Sequence, residues 1–112
     1  MRGRCRNFDT STIVSECGKI PQPDRGALFH AQDRYAKGEN AGFVVKDYGG
    51  GLLMLKKARM AGRCLFFPYE EEGEVYLIFL LAYKKEADEA PSHLIDAARQ
   101  RRANFIESRR AG

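Results

Sequence analysis

The sequence predicts an α+β domain: two N-terminal helices, an antiparallel meander and a C-terminal helix. Three observations lead there. The apolar runs Leu52 to Leu55, Cys64 to Phe67 and Val75 to Tyr83 are rich in branched and aromatic residues and are bounded by turn signals, as strands require. The connections between them are short, and short connections join antiparallel neighbours. Outside them, apolar residues recur at helical spacing, with Leu28, Ala31 and Tyr35 ahead of the strands and Leu94, Ala98, Phe105 and Ile106 behind them.

Taken in order, residues 1 to 8 predict a weak edge strand ending at Phe8, weak because five of the eight are Arg, Gly or Asn. Asp9, Thr10 and Ser11 offer N-caps for a short helix through Ile13, Val14 and Cys17, stopped by Gly18 and then by Pro21 and Pro23. Asp24 is placed to cap a second helix, which Gly38 ends. Residues 39 to 51 form a connector, with Phe43 to Val45 expected as a short extended segment ahead of a flexible Gly49, Gly50, Gly51 triplet. Pro91 suits the first turn of the last helix, where its missing N–H is not needed. The polar face of that helix carries Arg99, Arg101, Arg102, Arg109 and Arg110. Glu107, Asp96 and solvent are expected to satisfy these arginines as an ordinary amphipathic surface, a secondary contact at most.

A chain of 112 residues fits one compact domain, residues 1 to 112, long enough for a core and too short for two. No repeat, low-complexity segment or long linker interrupts it. Nineteen Lys and Arg against 15 Asp and Glu give +4, too modest an excess to identify a nucleic-acid binder by itself. Cys5, Cys17 and Cys64 form no CxxC pair. An odd number without ligand spacing argues against a disulfide framework and against zinc, so a reducing, cytoplasmic setting with no metal and no cofactor is expected. The N-terminus is basic and polar without an apolar core segment, and the longest apolar run, nine residues at 75 to 83, is too short for a bilayer. No export or membrane association is expected.

The order of the charges says more than their sum. Along an up, down, up path, the turn at Met60, Ala61 and Gly62 shares one end of the sheet with Lys84 and Lys85, while Glu70, Glu71, Glu72 and Glu74 lie at the other. Lys57, Arg59, Arg63, Lys84 and Lys85 therefore converge, with Lys56 close by. Singly, Lys57 or Lys84 would be an ordinary residue guarding a strand end. As a group, four basic residues between 56 and 63 with no acid among them repel one another unless an anion uses them. Register decides which share a face. A four-residue turn at 59 to 62 sets Ala58 opposite Arg63 and projects Lys56 and Arg63 together. A three-residue turn groups Lys57, Arg59 and Arg63 instead. Pairing Tyr69 with Val75 places Lys85 on the Arg63 side.

Other constellations carry less. The glycine triplet lacks GxGxxG or GxxxxGK[ST] spacing and leads into a strand, so a phosphate cradle is not expected. His30 and His93 have no HxxxH or HExxH partner. His93 follows the Lys84, Lys85 end by eight residues, within reach of folding back over it as a proton donor or acceptor.

The segments VKDYGGGLLMLK (45 to 56), GRCLFFPYEEEGEVYLIFLLAYKK (62 to 85) and PSHLIDAARQRRANF (91 to 105) follow one another in a recognisable order. From Val45 to Phe105 the chain resembles the RelE/HigB family of toxins from bacterial type II toxin-antitoxin systems, particularly the phage-derived HigB-like branch. The resemblance implies a microbial-ribonuclease-like fold and a metal-independent endoribonuclease that cuts messenger RNA in the ribosomal decoding site. It also implies a cognate antitoxin, a helix-turn-helix protein, through whose complex alone the chain would meet operator DNA.

In the implied chemistry a ribose 2′-hydroxyl attacks the adjacent phosphorus, so the site must take one proton, stabilise one charge and give one proton back. Lys56 falls where the family often has a strand-borne lysine or arginine, and neighbouring cations favour its acting as the base. Arg63 matches a Gly-x-Arg position suited to the scissile phosphate, and Lys85 matches the basic residue after the last strand. Lys57, Arg59 and Lys84 are placed to bind the RNA backbone. Relatives often carry an aromatic or histidine acid–base group after that strand, where Pro91 and His93 stand here, and some have a second lysine at the place of Met54. Two alternatives share the scaffold: a ParE-like toxin acting on a protein such as DNA gyrase, and an inactive RNA- or antitoxin-binding module.

Overall fold

The structure, a computed structural model, describes residues 3–39, 42–87 and 89–111. Met1 and Arg2 of the expected edge strand, and residues 40 and 41 of the expected connector, lie outside the described residues. The elements run β1 (Arg4–Asn7), α1 (Thr10–Cys17), α2 (Gln22–Ala36), β2 (Phe43–Asp47), β3 (Leu53–Lys57), β4 (Gly62–Glu71), β5 (Glu74–Lys84) and α3 (Ser92–Ala111). The fold is α+β. Its sheet is five-stranded and mixed, in the order β1-β5-β4-β3-β2. The meander has four strands rather than three, because the extended segment at Phe43 continues to Asp47 and pairs with β3 over its whole length. The edge strand exists as expected but runs parallel to β5, with Arg4 opposite Tyr76 and Asn7 opposite Phe79.

Local chemistry explains the helix ends. Asp9 caps α1, its Oδ1 accepting from the Ser11 N–H at 3.0 Å and the Thr12 N–H at 3.4 Å. The start of α2 falls two residues before the expected cap: Pro21 is the N-cap, Pro23 occupies the first turn and Asp24 sits inside that turn. Proline fits there because first-turn N–H groups have no partner within the helix, and a carboxylate near the positive end of the helix remains favourable. Pro91 likewise precedes α3 instead of entering it, its carbonyl accepting from the Leu94 and Ile95 N–H groups.

The sheet is the middle of three layers. On one side α1 and α2 bring Ile13, Cys17, Ile20, Leu28 and Ala31 against Leu55, Cys64, Phe66, Leu77 and Phe79. On the other, α3 brings Ala98, Leu94 and Phe105 against Leu52, Met54, Leu65, Phe67 and Ile78. Each fully buried Leu or Phe contributes about 1.5–3 kcal/mol by leaving water. Between β4 and β5 the register slips once: Phe66 faces Phe79, but Leu65 faces Leu81, leaving Leu80 as an extra residue. Leu80 and Leu81 consequently both face the α3 core. Tyr69 faces Tyr76, not Val75 as expected from the hairpin alone.

Candidate functional site

Three cross-strand pairs line up in one row. Val44 faces Lys56, Lys56 faces Arg63, and Arg63 faces Tyr83, from β2 across β3 and β4 to β5. Residues directly opposite each other project to the same side of an antiparallel sheet, here the side of Met54, Leu65 and Leu81. The expectation that Lys56 and Arg63 project together is met, though by direct pairing and not through the Ala58 to Arg63 pairing that a four-residue turn gives. The alternative grouping of Lys57, Arg59 and Arg63 does not form. Lys57 pairs with Phe43, whose ring packs with the α1 and α2 core, so its side chain leaves on the opposite face.

The β3–β4 turn supplies the rest of the basic group. Arg59 holds a left-handed backbone, φ +68°, which is uncommon for a residue with a Cβ. The Met60 N–H donates to the Lys57 carbonyl at 3.2 Å, and the Lys85 N–H donates to the Ala61 carbonyl at 2.7 Å, tying the end of β5 to this turn. Lys56, Arg59, Arg63 and Lys85 line a hollow of about 250 Å³. Lys56 is half-buried, and Arg59 and Lys85 are exposed.

Arg63 is different: it is 5% exposed. Its Nη1 donates to the carbonyls of Met60 and, at 3.1 Å, of Gly62. The side chain thus clamps the turn that carries Arg59. Burial pulls its pKa down from the usual arginine value, while the neighbouring Tyr83, Asp24 and Tyr48 act in the opposite sense. Among the described residues no carboxylate lies within ion-pair distance of it, so its charge is solvated by backbone dipoles.

Lys84 and His93 stand elsewhere. Lys84 alternates with Tyr83 and lines a neighbouring hollow of about 370 Å³ together with His93, Pro91, Glu16 and Glu86. Tyr83 lines it too, so this side chain stands between the two hollows. The Leu80 bulge is what puts it there. Counting residues from the Phe66 to Phe79 pair without a bulge would set Ala82 opposite Arg63 and turn Tyr83 toward α1. The Tyr83 pKa is pushed up to about 12, chiefly by burial, with Tyr48 and Glu89 adding to the rise and Arg63 opposing it.

Behind Tyr83, the segment after β5 is tied back across the sheet. The Tyr48 hydroxyl donates to Glu89 Oε2 at 3.2 Å and accepts the Ala90 N–H at 3.1 Å, and Lys46 pairs with the same carboxylate. Sequence reasoning missed Tyr48, Tyr83 and Glu89 as members of this face. A strand-ending tyrosine beside a lysine pair was the available signal, but its face depended on the bulge.

The arginines of α3 are anchors, not an open amphipathic surface. Arg99 Nη2 donates to the Tyr48 carbonyl at 3.0 Å and Arg102 Nη1 to the Gly50 carbonyl, while Arg102 also covers the Phe67 ring at 5.0 Å from its centroid. Arg109 pairs with Glu71 at 3.3 Å and Arg101 with Glu16 at 2.9 Å. The expected partners Glu107 and Asp96 are replaced by acids from other elements because this flank of α3 lies against the sheet. Gly49, Gly50 and Gly51 make the loop that receives Arg99 and Arg102: all three have positive φ, +91°, +63° and +86°, a conformation other residues adopt with strain.

Among the described residues no three His, Cys, Asp or Glu side chains gather into a metal-holding group, and no helix is long and apolar enough to cross a membrane. The site offers cations around a hollow with a phenol beside it, a constellation suited to holding a phosphodiester and moving protons. No protein-family model matches the chain, and no curated protein matches it at a significant level.

Proposed function

We propose that this chain is a RelE/HigB-type toxin: an endoribonuclease that acts on messenger RNA at the ribosome, stops translation and is neutralised by a helix-turn-helix antitoxin. A cytoplasmic location, and contact with operator DNA through the antitoxin complex alone, belong to the same proposal. The sequence resemblance over residues 45 to 105 supports it. The observation that carries it is the direct Lys56 to Arg63 pair on one face, with Arg59 and Lys85 on the rim of the same hollow.

In this reading Arg59 and Lys85 hold the phosphate oxygens of the RNA backbone as point charges. Lys56 takes the proton of the attacking 2′-oxygen. Arg63 adds its positive charge from below and fixes the turn, so that little reorganisation is needed as negative charge grows on the phosphorane. Lys57 and Lys84, on the other face, and His93, in the neighbouring hollow, lie outside this core. They meet RNA only where it leaves the hollow.

One feature favours a second reading. Arg63 is committed to backbone carbonyls, as a purely structural arginine would be. A ParE-like toxin, with the basic end docking on a protein such as DNA gyrase, would need no more than that.

The deciding experiment adds wild-type protein and Lys56→Ala to a translating extract and maps messenger 5′ ends by primer extension. In-frame cuts with wild type that fall at least tenfold with Lys56→Ala support the nuclease. Intact messenger with continued translation overturns it.

A further inference from the structure

We propose that Tyr83 is the proton donor of this site, delivering its phenolic hydrogen to the 5′-oxygen that leaves phosphorus. The inference rests on the nuclease reading above and assigns a role that the sequence had pointed toward His93. Placement comes first. Tyr83 is the direct cross-strand partner of Arg63, which is in turn the direct partner of Lys56, so a base candidate, a cation and a phenol occupy consecutive strands in one row. His93 is exposed and opens onto the adjoining hollow, without a place on the Lys56 and Arg63 hollow.

Availability comes second. Among the described residues the Tyr83 hydroxyl has no hydrogen-bond partner, whereas the nearby Tyr48 hydroxyl is taken up by Glu89 and Ala90. A half-buried phenol without a partner is held ready for one. Protonation comes third. With its pKa near 12, Tyr83 keeps its hydrogen through the physiological range, and Arg63, the one neighbour that favours the ionised form, is positioned to stabilise the phenolate left after transfer.

The step balances. The 2′-oxygen gives its proton to Lys56 and bonds to phosphorus. The bond from phosphorus to the 5′-oxygen breaks, and its electron pair leaves with that oxygen, which takes the Tyr83 proton. The products are a 2′,3′-cyclic phosphate and a 5′-hydroxyl, and the Tyr83 phenolate regains a proton from water as the Lys56 ammonium releases one.

The test compares wild type with Tyr83→Phe, which keeps the ring in place, on two messengers in the translating extract. One is ordinary; the other has sulfur in place of the bridging 5′-oxygen at the cut position, where a thiolate departs without being protonated. With melting temperatures matched, Tyr83→Phe is expected to cut the ordinary messenger slower by on the order of 10²-fold and the sulfur messenger at the wild-type rate. Equal slowing on both messengers, or no slowing on either, overturns the donor role while leaving the nuclease standing. Failure of wild type to cut either messenger overturns the nuclease reading and this inference together.

Discussion

The Arg101 guanidinium meets the Glu16 carboxylate at 2.9 Å beside the open edge of β5, and each side chain also bonds that strand's backbone. Glu16 Oε1 accepts the Ala82 N–H at 3.0 Å, and Arg101 Nη1 donates to the Leu80 carbonyl at 2.7 Å. β1 pairs with β5 only from Tyr76 to Phe79, so beyond that point the edge lacks a strand neighbour. One acid and one base stand in for it, satisfying groups that would otherwise invite another chain.

Glu16→Ala should therefore destabilise the protein by about 1–3 kcal/mol, because it removes an acceptor from a sheltered N–H as well as half an ion pair. Glu16→Gln keeps the acceptor and should cost less. The side chains of Arg101 and Glu16 are 23% and 19% exposed, so a double-mutant cycle with Arg101→Ala should return a coupling of about 1 kcal/mol, above that of a fully exposed pair. Urea unfolding gives these values. Hydrogen exchange at the Ala82 amide should accelerate in Glu16→Ala and stay slow in Glu16→Gln; an unchanged rate in both would remove Glu16 from the edge.

Arg63→Ala is expected to lose about 1–3 kcal/mol of stability, independent of any RNA, since two turn carbonyls forfeit a charged donor. Arg63→Lys, with one compact ammonium, should recover part of that. Differential scanning calorimetry should show the alanine variant melting several degrees below wild type and the lysine variant between them. If both melt with wild type, the turn does not depend on Arg63, and its burial needs another explanation.

Stability should decline at alkaline pH. The Cys64 thiol, fully buried behind Arg63 on β4, is pushed up to about 12 by burial, as is the half-buried Tyr83 phenol, from ordinary values of 9.0 and 10.0. Both groups hold their protons in the folded chain at a pH where the unfolded chain has released them. The folded state binds the extra protons, so the stabilisation is complete below about pH 9 and drains away as pH climbs toward about 12. Melting temperatures taken from about pH 8 to about pH 11 should fall steadily, and Cys64→Ala, although less stable at neutral pH, should fall less steeply. A flat profile for wild type would contradict the buried thiol.

Much of the fold was legible in the sequence because its signals are local. Asp9 capping α1, the helical spacing of Leu28, Ala31 and Tyr35, and the apolar runs of β3, β4 and β5 depend on neighbours a few residues apart. The parallel pairing of β1 was hidden, since Arg4 to Asn7 is polar and becomes a strand only beside β5. The direction of the α3 arginines was hidden for a similar reason: an arginine stem covers an apolar surface as readily as it faces water, and Arg102 lies on Phe67. Within the candidate site, the clustering of Lys56, Arg59, Arg63 and Lys85 followed from the order of turns and charges. Tyr83 did not, because residue counting alone assigns it the wrong face.

That miscount has a consequence for how such a surface can change over generations. Ten residues of β4 run against eleven of β5, and the surplus is Leu80. Loss of a single codon there would restore an even count and exchange the outlook of every residue downstream to Lys84. The phenol would leave the Arg63 face, and Lys84 would take its place with a third kind of donor. A deletion, which usually ruins a strand, would here rewrite the chemistry of the surface in one step while the sequence around it stayed the same letter for letter.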